Sequence, residues 1–477
     1  MNTRRPTHWR PGRSASDRAR RVVFQVLCEV ATDDAYANLI LPKYLNRGNY
    51  SKQDAAYATN LCYGTLRLQG RWDAIISACT NGRSIAQIDL PVLILLRMGA
   101  HQLLEFRTPA HAAIYETVTL ARNELGSGAS GFVNAVLRRV SERTLKQWRE
   151  YVREMSGGNY ASIKFLSAWY SHPQWIVRAY SKSLQANGRS AKDLISVLQA
   201  NNTPAEVALV AREISLADLA KDIEKGKMQH APGKLVANSL LLSHGDPGRI
   251  FAVQDKLAGV QDEGSQLISR VFTSAAVTTK DRRWLDLCAG PGGKSATIAA
   301  IAAQRGAELF ANELHPHRLD LVQQAVAPWS DLVSLRLGDG REIGVEEPAS
   351  YDRVLIDAPC TGIGALRRRP EARWRKTAGD GEDLAQLQRE LLFSGWSALR
   401  KGGILLYSTC SPYLKETHEI VQSFLATHHD AELLDAAKIA NGFSKVKLAS
   451  NTKMLQLWPD EHSSDAMFLA VIKKSQQ

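Results

Sequence analysis

Cysteine is scarce here: the 477 residues hold six, Cys28, Cys62, Cys79, Cys288, Cys360 and Cys410. None forms a C-x-x-C pair, which sets zinc and metal binding aside, and the spacings are not those of a secreted disulfide framework. Free thiols in a reducing cytoplasm are the expectation. No apolar run reaches the roughly 18–20 residues that cross a membrane. An acidic excess is missing too. Lys and Arg number 60 against 48 Asp and Glu, a formal charge of +12, so a polyanion, RNA or DNA, is the expected partner. The first 21 residues lack an apolar core and carry seven arginines against one acid. That excludes a signal peptide and suggests a disordered basic arm over residues 1–15. There is no internal repeat, no G-x-G-x-x-G and no G-x-x-x-x-G-K loop. Oligomeric state leaves no trace in the sequence, and a monomer is the working expectation.

What is present falls into three rhythms. Over residues 16–150 apolar side chains recur at helical spacing, as in Val22, Val23, Val26, Leu27 and Val30. Asp89 and Pro91 open a further apolar helix that runs to Phe106. Little alternates with period two, so an all-α bundle is predicted. Residues 151–255 mix a helical "SHPQWIVRAYSKSL" with strand-like "AEVALVAR", "GKLVANSLLLSHG" and "RIFAVQD", which suggests a small α/β connecting module. From 256 to 477 short strands ("RRWLDLC", "AELFANE", "VSLRLGD", "DRVLIDA", "GILLYST") alternate with helices. That alternation predicts a mainly parallel, Rossmann-like α/β sheet covered on both faces, with ligands beyond the carboxyl ends of its strands.

Those strand ends carry the chemistry. The first leads into "DLCAGPGGKS", where Gly290, Gly292 and Gly293 let the backbone approach a ligand and turn into a helix N-terminus. The second ends at Glu313, placed to accept from ribose hydroxyls; the third at Asp339, placed for an adenine amine; the fourth at Asp357. Any one of these acids alone reads as a solvated turn residue. Together with the glycine loop they outline an adenosyl pocket that suits NAD or S-adenosylmethionine. Cys360 and Cys410 each follow a strand, and those two strands are expected to be neighbours. A dehydrogenase has no use for paired thiols. Methylation of carbon 5 of cytosine does: a thiolate adding to carbon 6 makes carbon 5 nucleophilic, and the adduct must later be released. An acid near ring nitrogen 3, with Asp357 three residues before Cys360, would draw off developing charge. Which thiol attacks stays open at this level.

The segments "DLCAGPGGK", "DAPCTGIGALRRRP" and "YSTCSP" resemble the signature of the Sun/RsmB-type RNA 5-methylcytosine methyltransferases. "VQDEGSQL" is similar to the segment before their cofactor loop. "PAHAAIYETV" and "GFVNAVLRRV" resemble their N-terminal NusB-like RNA-binding domain, and "SHPQWIV" their connecting region, so the resemblance covers nearly the whole chain. It implies a NusB-like bundle joined to a class I methyltransferase. It implies Cys410 as nucleophile, Cys360 as the thiol that assists release, and Asp357 at the cytosine edge near the methyl donor. Cys288, Ala289, Gly290, Pro291, Gly292, Gly293, Lys294, Glu313, Asp339 and Asp357 would hold S-adenosylmethionine. A cytosine of 16S rRNA is the implied substrate. A transfer RNA, or a non-catalytic NusB-like antitermination factor, are the alternatives. Two positions depart from the pattern: Gly290, where alanine is more frequent, and Glu313, where aspartate is usual. Beyond Cys360, "GALRRRPEARWRK" sets six basic residues around Trp374, read as an RNA-binding edge with an aromatic to stack on a base.

Overall fold

Helix Arg18–Thr32 buries Val22, Val23, Val26, Leu27 and Val30 along one face, as its periodicity dictates. It leads an all-helical arrangement in which helix Leu90–Leu104 is the most enclosed element. That helix is apolar nearly all round, so its few polar groups must find partners inside. Gln102 Oε1 accepts from Arg20 Nε at 2.6 Å and from the Tyr57 hydroxyl at 2.8 Å.

In a computed structural model, which describes residues 18–33, 35–106 and 108–476, the chain forms two compact units. The helical one extends to Val177 and includes Arg368–Arg375; the other comprises Arg178–Arg367 and the chain from Lys376 onward. The basic arm expected at residues 1–15 lies outside the described residues. The helical unit runs past residue 150 because helices Leu145–Met155 and Ile163–Trp169 are anchored to it. Trp148 Nε1 donates to Val140 O at 2.9 Å, and Arg71 Nε to Trp169 O at 2.7 Å.

Residues 368–375 meet the sequence reading of an RNA-binding edge only in part: Trp374 and Arg369 are exposed, but two of the arginines are used inside the fold. Arg373 is completely buried, donating to Arg67 O at 3.0 Å and Ser171 O at 2.8 Å. Arg375 donates to Val30 O and Ala35 O, and the Glu371 carboxylate accepts from Ala37 N. A methyl group on Gly70 would lie 2.8 Å from the Trp374 ring. Arg373 and Arg375 thus serve backbone carbonyls in the last turns of helices and just beyond them, a role for which a planar five-donor group is suited.

The second unit holds two sheets. Strands β1 (Val207–Ala211), β2 (His230–Pro232), β3 (Ser239–Leu242) and β4 (Ala258–Val260) pair antiparallel in the order β2-β3-β1-β4. "RIFAVQD", expected as a strand, instead contains the short helix Phe251–Gln254; a brief apolar run cannot by itself distinguish the two. The larger sheet uses β5 (Arg283–Asp286), β6 (Glu308–Glu313), β7 (Val333–Leu337), β8 (Tyr351–Asp357), β9 (Leu399–Thr409), β10 (Ala431–Leu434), β11 (Leu455–Gln456) and β12 (Phe468–Lys474). Its order is β10-β12-β9-β8-β5-β6-β7, with β11 on β12. The five strands from β5 to β9 are parallel, as predicted; β12 and β10 extend the sheet antiparallel beyond β9.

Both faces of this sheet are covered, so its central strands are apolar on both sides. Leu355 and Leu406 pack with Ala296 and Ala299 of helix Gly293–Arg305. Val354, Ile356, Leu405 and Tyr407 pack with Leu391, Leu392 and Trp396 of helix Ala378–Ala398. Strand alternation then puts Asp357 on the same face as Leu355, the face that carries the helix beginning at Gly293. No helix among the described residues is long and apolar enough to cross a membrane.

Candidate active site

The glycine loop between β5 and helix Gly293–Arg305 builds the floor of a cavity of about 190 Å³, lined by Gln261, Asp262, Ser265, Asp286, Cys288 to Pro291, Gly293, Lys294 and Asp357. Gly292 has φ +100°, the left-handed region that favours glycine, and a methyl group there would lie 2.7 Å from the Ala325 side chain. The loop is tied down by Glu313, whose Oε2 accepts from Gly290 N and Oε1 from His315 N, each at 3.0 Å. Arg318 donates to Gly290 O at 2.6 Å. Asp339 lies past the end of β7 and does not line this cavity. It accepts from Arg341 at 2.6 Å, and that bond holds its carboxyl below the usual carboxylate range.

Asp286, at the end of β5, is a member of the site that the sequence reading did not assign. It is fully buried; Oδ2 accepts from Ser295 Oγ at 2.7 Å, while Oδ1 has no hydrogen-bond partner among the described residues. Burial pushes its carboxyl up to about 7. A buried acceptor without a donor, on the wall of a glycine-floored cavity, fits a ligand that brings a cation or an N–H. S-adenosylmethionine has both, in its sulfonium and amino groups, and helix Gly293–Arg305 turns its N-terminus to the same cavity. The residues present therefore fit that cofactor.

Asp357, at the end of β8, lines the same cavity. Lys294 Nζ donates to its Oδ2 at 2.8 Å and to Ser265 Oγ at 3.3 Å; Ser408 Oγ donates to Asp357 Oδ1 at 3.0 Å. Burial works against the Lys294 charge, but Asp357 and then Cys410 outweigh it, and the ammonium is held above its ordinary value. The β8–β9 register pairs Asp357 with Ser408, so the chain beyond each strand emerges at the same level. Consequently Cys360 Sγ and Cys410 Sγ stand 3.4 Å apart, both half-buried. The hydrogen bond with Cys410, with burial added, pushes the Cys360 thiol well up. Gly364, whose N–H donates to Cys410 O at 2.9 Å, has no room for a side chain: a methyl group would lie 2.2 Å from Ala466 O. Among the described residues no group of three or more His, Cys, Asp or Glu is placed to hold a metal ion.

Two residues behind the thiols also escaped the sequence reading. Ser408 had only its position before Thr409 to mark it, and Glu416 sits in an ordinary-looking "LKETHE". Only the strand pairing reveals what either one touches.

Comparison with known proteins agrees with this geometry. Residues 275–473 match the 16S rRNA methyltransferase RsmB/F family, and residues 17–142 the NusB family. A Mycobacterium tuberculosis protein named as a methyltransferase is 42% identical over 468 residues, covering 97% of this chain and 98% of the other. The ribosomal RNA small subunit methyltransferase B of Escherichia coli O6:K15:H31 is 30% identical over 428 residues, 87% of this chain and 92% of its own. Among solved structures, PH0851 superposes with a TM-score of 0.77 over 98% of this chain and 100% of that one, at 19% identity. NSun6 from Pyrococcus horikoshii with SFG gives 0.54 over 64% of this chain and 99% of that one, at 16% identity; both likenesses are of fold. The chain belongs to the RsmB/F 16S rRNA methyltransferase family, an S-adenosylmethionine-dependent RNA methyltransferase that carries a NusB-family helical domain.

Proposed function

We propose that this protein methylates carbon 5 of a cytosine in 16S rRNA through a covalent adduct between Cys410 and carbon 6. The observation that carries the reading is the thiol pair: two sulfurs 3.4 Å apart at the ends of neighbouring parallel strands, beside the glycine-loop cavity. Cys410, the cysteine of the T-C segment after β9, is assigned as nucleophile and Cys360, of the P-C segment after β8, as its helper, the order that the family resemblance implies. Its addition to carbon 6 breaks the 5,6 double bond and moves the electron pair to carbon 5. S-adenosylmethionine supplies the electrophilic methyl group. Asp286, the 288–294 loop and Lys294 hold the cofactor, with Glu313 fixing the loop and Asp339 available to an adenine amine once Arg341 moves aside. Asp357, fixed by Lys294 and Ser408, is positioned to receive the cytosine edge. Water then takes the proton from carbon 5, the C–H electron pair re-forms the 5,6 double bond, the electron pair of the breaking carbon 6–sulfur bond returns to Cys410, and a hydrogen bond from Cys360 stabilises that departing thiolate. A stacked base cannot reach sulfurs held this way, so the target cytosine is single-stranded or flipped.

The test uses the full-length protein, deproteinised 16S rRNA and transfer RNA in parallel, and radiolabelled S-adenosylmethionine. Label in 5-methylcytosine of the ribosomal RNA is expected. Cys410→Ala is expected to bind cofactor yet transfer no methyl group. Cys360→Ala is expected to accumulate a denaturation-stable protein–RNA adduct. An adduct with Cys410→Ala and none with Cys360→Ala would reverse the assignment of the two thiols; label confined to transfer RNA would replace the substrate.

A further inference from the structure

Glu416 is fully buried directly behind the thiol pair. Its Oε1 accepts from Thr361 N at 2.7 Å, and its Oε2 accepts from Thr361 Oγ1 and Ser411 Oγ, each at 2.6 Å. Thr361 follows Cys360 and Ser411 follows Cys410, so a single carboxyl group joins the two loops at the residue next to each sulfur. A second brace acts on the other side. Gln388 Nε2 donates to Pro359 O at 2.7 Å, while the Tyr407 hydroxyl, three residues before Cys410, donates to Glu416 O at 2.8 Å and lies 3.1 Å from Gln388 Oε1. The loops are therefore held on both sides of their cysteines by a network with Glu416 at its centre.

As a stabilising device this is a poor choice. Each hydrogen bond that the structure gives the Glu416 side chain comes from a neutral donor, and burial pushes its carboxyl above the ordinary range. A buried acid compensated only by neutral groups stabilises a fold less than apolar packing in the same volume. What it does supply is geometry: a planar group with two acceptor oxygens that fixes two separate loops at once.

We propose that Glu416 is a positioning residue for the methyl transfer, clamping Thr361 and Ser411 so that the two sulfurs keep the separation at which one can add and the other can assist its release. The proposal rests on the two-thiol reading above. Loosening the clamp lengthens and randomises the sulfur–sulfur contact. Release, which uses both sulfurs, is then affected more than addition, which uses one. The cavity beside the glycine loop is built from other residues, so cofactor binding is untouched.

The experiment compares full-length wild type, Glu416→Ala, Glu416→Gln and the pair Thr361→Val with Ser411→Ala, with Cys360→Ser as the single-thiol control. Three quantities are read: kcat and KM for S-adenosylmethionine with 16S rRNA, the fraction of protein trapped as RNA adduct, and the affinity of the RNA-free protein for phenylarsine oxide, which binds two closely spaced thiols together. Glu416→Ala should lower kcat by about 100-fold, the scale of an ångström-level misplacement. KM for the cofactor should stay within about twofold, the adduct fraction should rise, and arsenical affinity should fall about tenfold toward that of Cys360→Ser. Glu416→Gln should recover most of the rate, because the amide keeps an acceptor for Thr361 N and can donate to the two hydroxyl oxygens. Should Glu416→Ala not fold, the Thr361→Val and Ser411→Ala pair, which removes the two hydroxyl donors, is expected to shift all three quantities the same way. Unchanged rate, adduct fraction and arsenical affinity in a folded variant overturns the proposal. So does an equal loss of kcat and cofactor affinity, which marks a general defect. If wild type forms neither adduct nor 5-methylcytosine, the reaction reading fails, while the arsenical titration still decides whether Glu416 sets the thiol spacing.

Discussion

Asp286 Oδ1 has no hydrogen-bond partner among the described residues, and the carboxyl to which it belongs is pushed up to about 7 by burial. The charged form of this acid is the one that attracts a cationic ligand, and it is populated above that value. Affinity for S-adenosylmethionine should therefore rise with pH, by up to about tenfold per unit below 7, and level off above it. Asp286→Asn should bind more weakly at high pH and lose the step; calorimetric titration from about pH 5.5 to 8.5 reads both. Asp286 was not assignable from sequence for a physical reason. In "WLDLC" it reads as one residue of a buried strand, and its isolation is visible only once Ser295 is seen to satisfy one oxygen and not the other. Glu416 escaped similarly, since its partners lie on loops 50 residues apart in the chain that β8–β9 pairing brings together. The glycine loop and the cysteines, by contrast, announce themselves, because each sits at a change from apolar strand to small or reactive residues.

At the scale of the element, the cofactor loop and the tip of β6 must be considered as a pair. A methyl group on Gly290 would lie 2.2 Å from Glu313 Oε2, and that carboxylate is buried and pinned by the loop's own N–H. The two departures from the family pattern thus fit each other: the longer acid reaches back to the loop, and the glycine leaves space for it. Gly290→Ala should weaken S-adenosylmethionine binding by about 1–2 kcal/mol through overpacking. Adding Glu313→Asp, which withdraws the carboxylate by one methylene, should restore most of that loss. A double-mutant cycle on cofactor affinity with a coupling above about 0.5 kcal/mol is the expected result; additive losses would contradict it. The five parallel strands were legible because each alternates with a helix. Strands β10 and β12 were not, since they add antiparallel at the edge, separated by a long irregular stretch, and nothing local marks that pairing. Phe251–Gln254 went the other way, a run too short for periodicity to decide.

For the molecule as a whole, the excess of basic residues pointed to RNA, but charge alone did not say which arginines meet solvent. Arg373 is interior, and its neighbours in sequence complete the helical unit. Replacing it with alanine leaves the carbonyls of Arg67 and Ser171 without this donor inside the fold. Arg373→Ala should destabilise the helical unit by about 2–4 kcal/mol, read as faster amide hydrogen exchange there, with residues 283–337 protected as before. An unchanged exchange pattern would show the segment to be dispensable. The segment also bears on synthesis. A ribosome delivers the chain from its N-terminus, and residues 18–177 emerge long before 368–375. The helical unit, although first to be made, lacks this segment until more than three-quarters of the protein has been translated, and during that interval the backbone carbonyls that Arg373 and Arg375 later occupy have to be served by water.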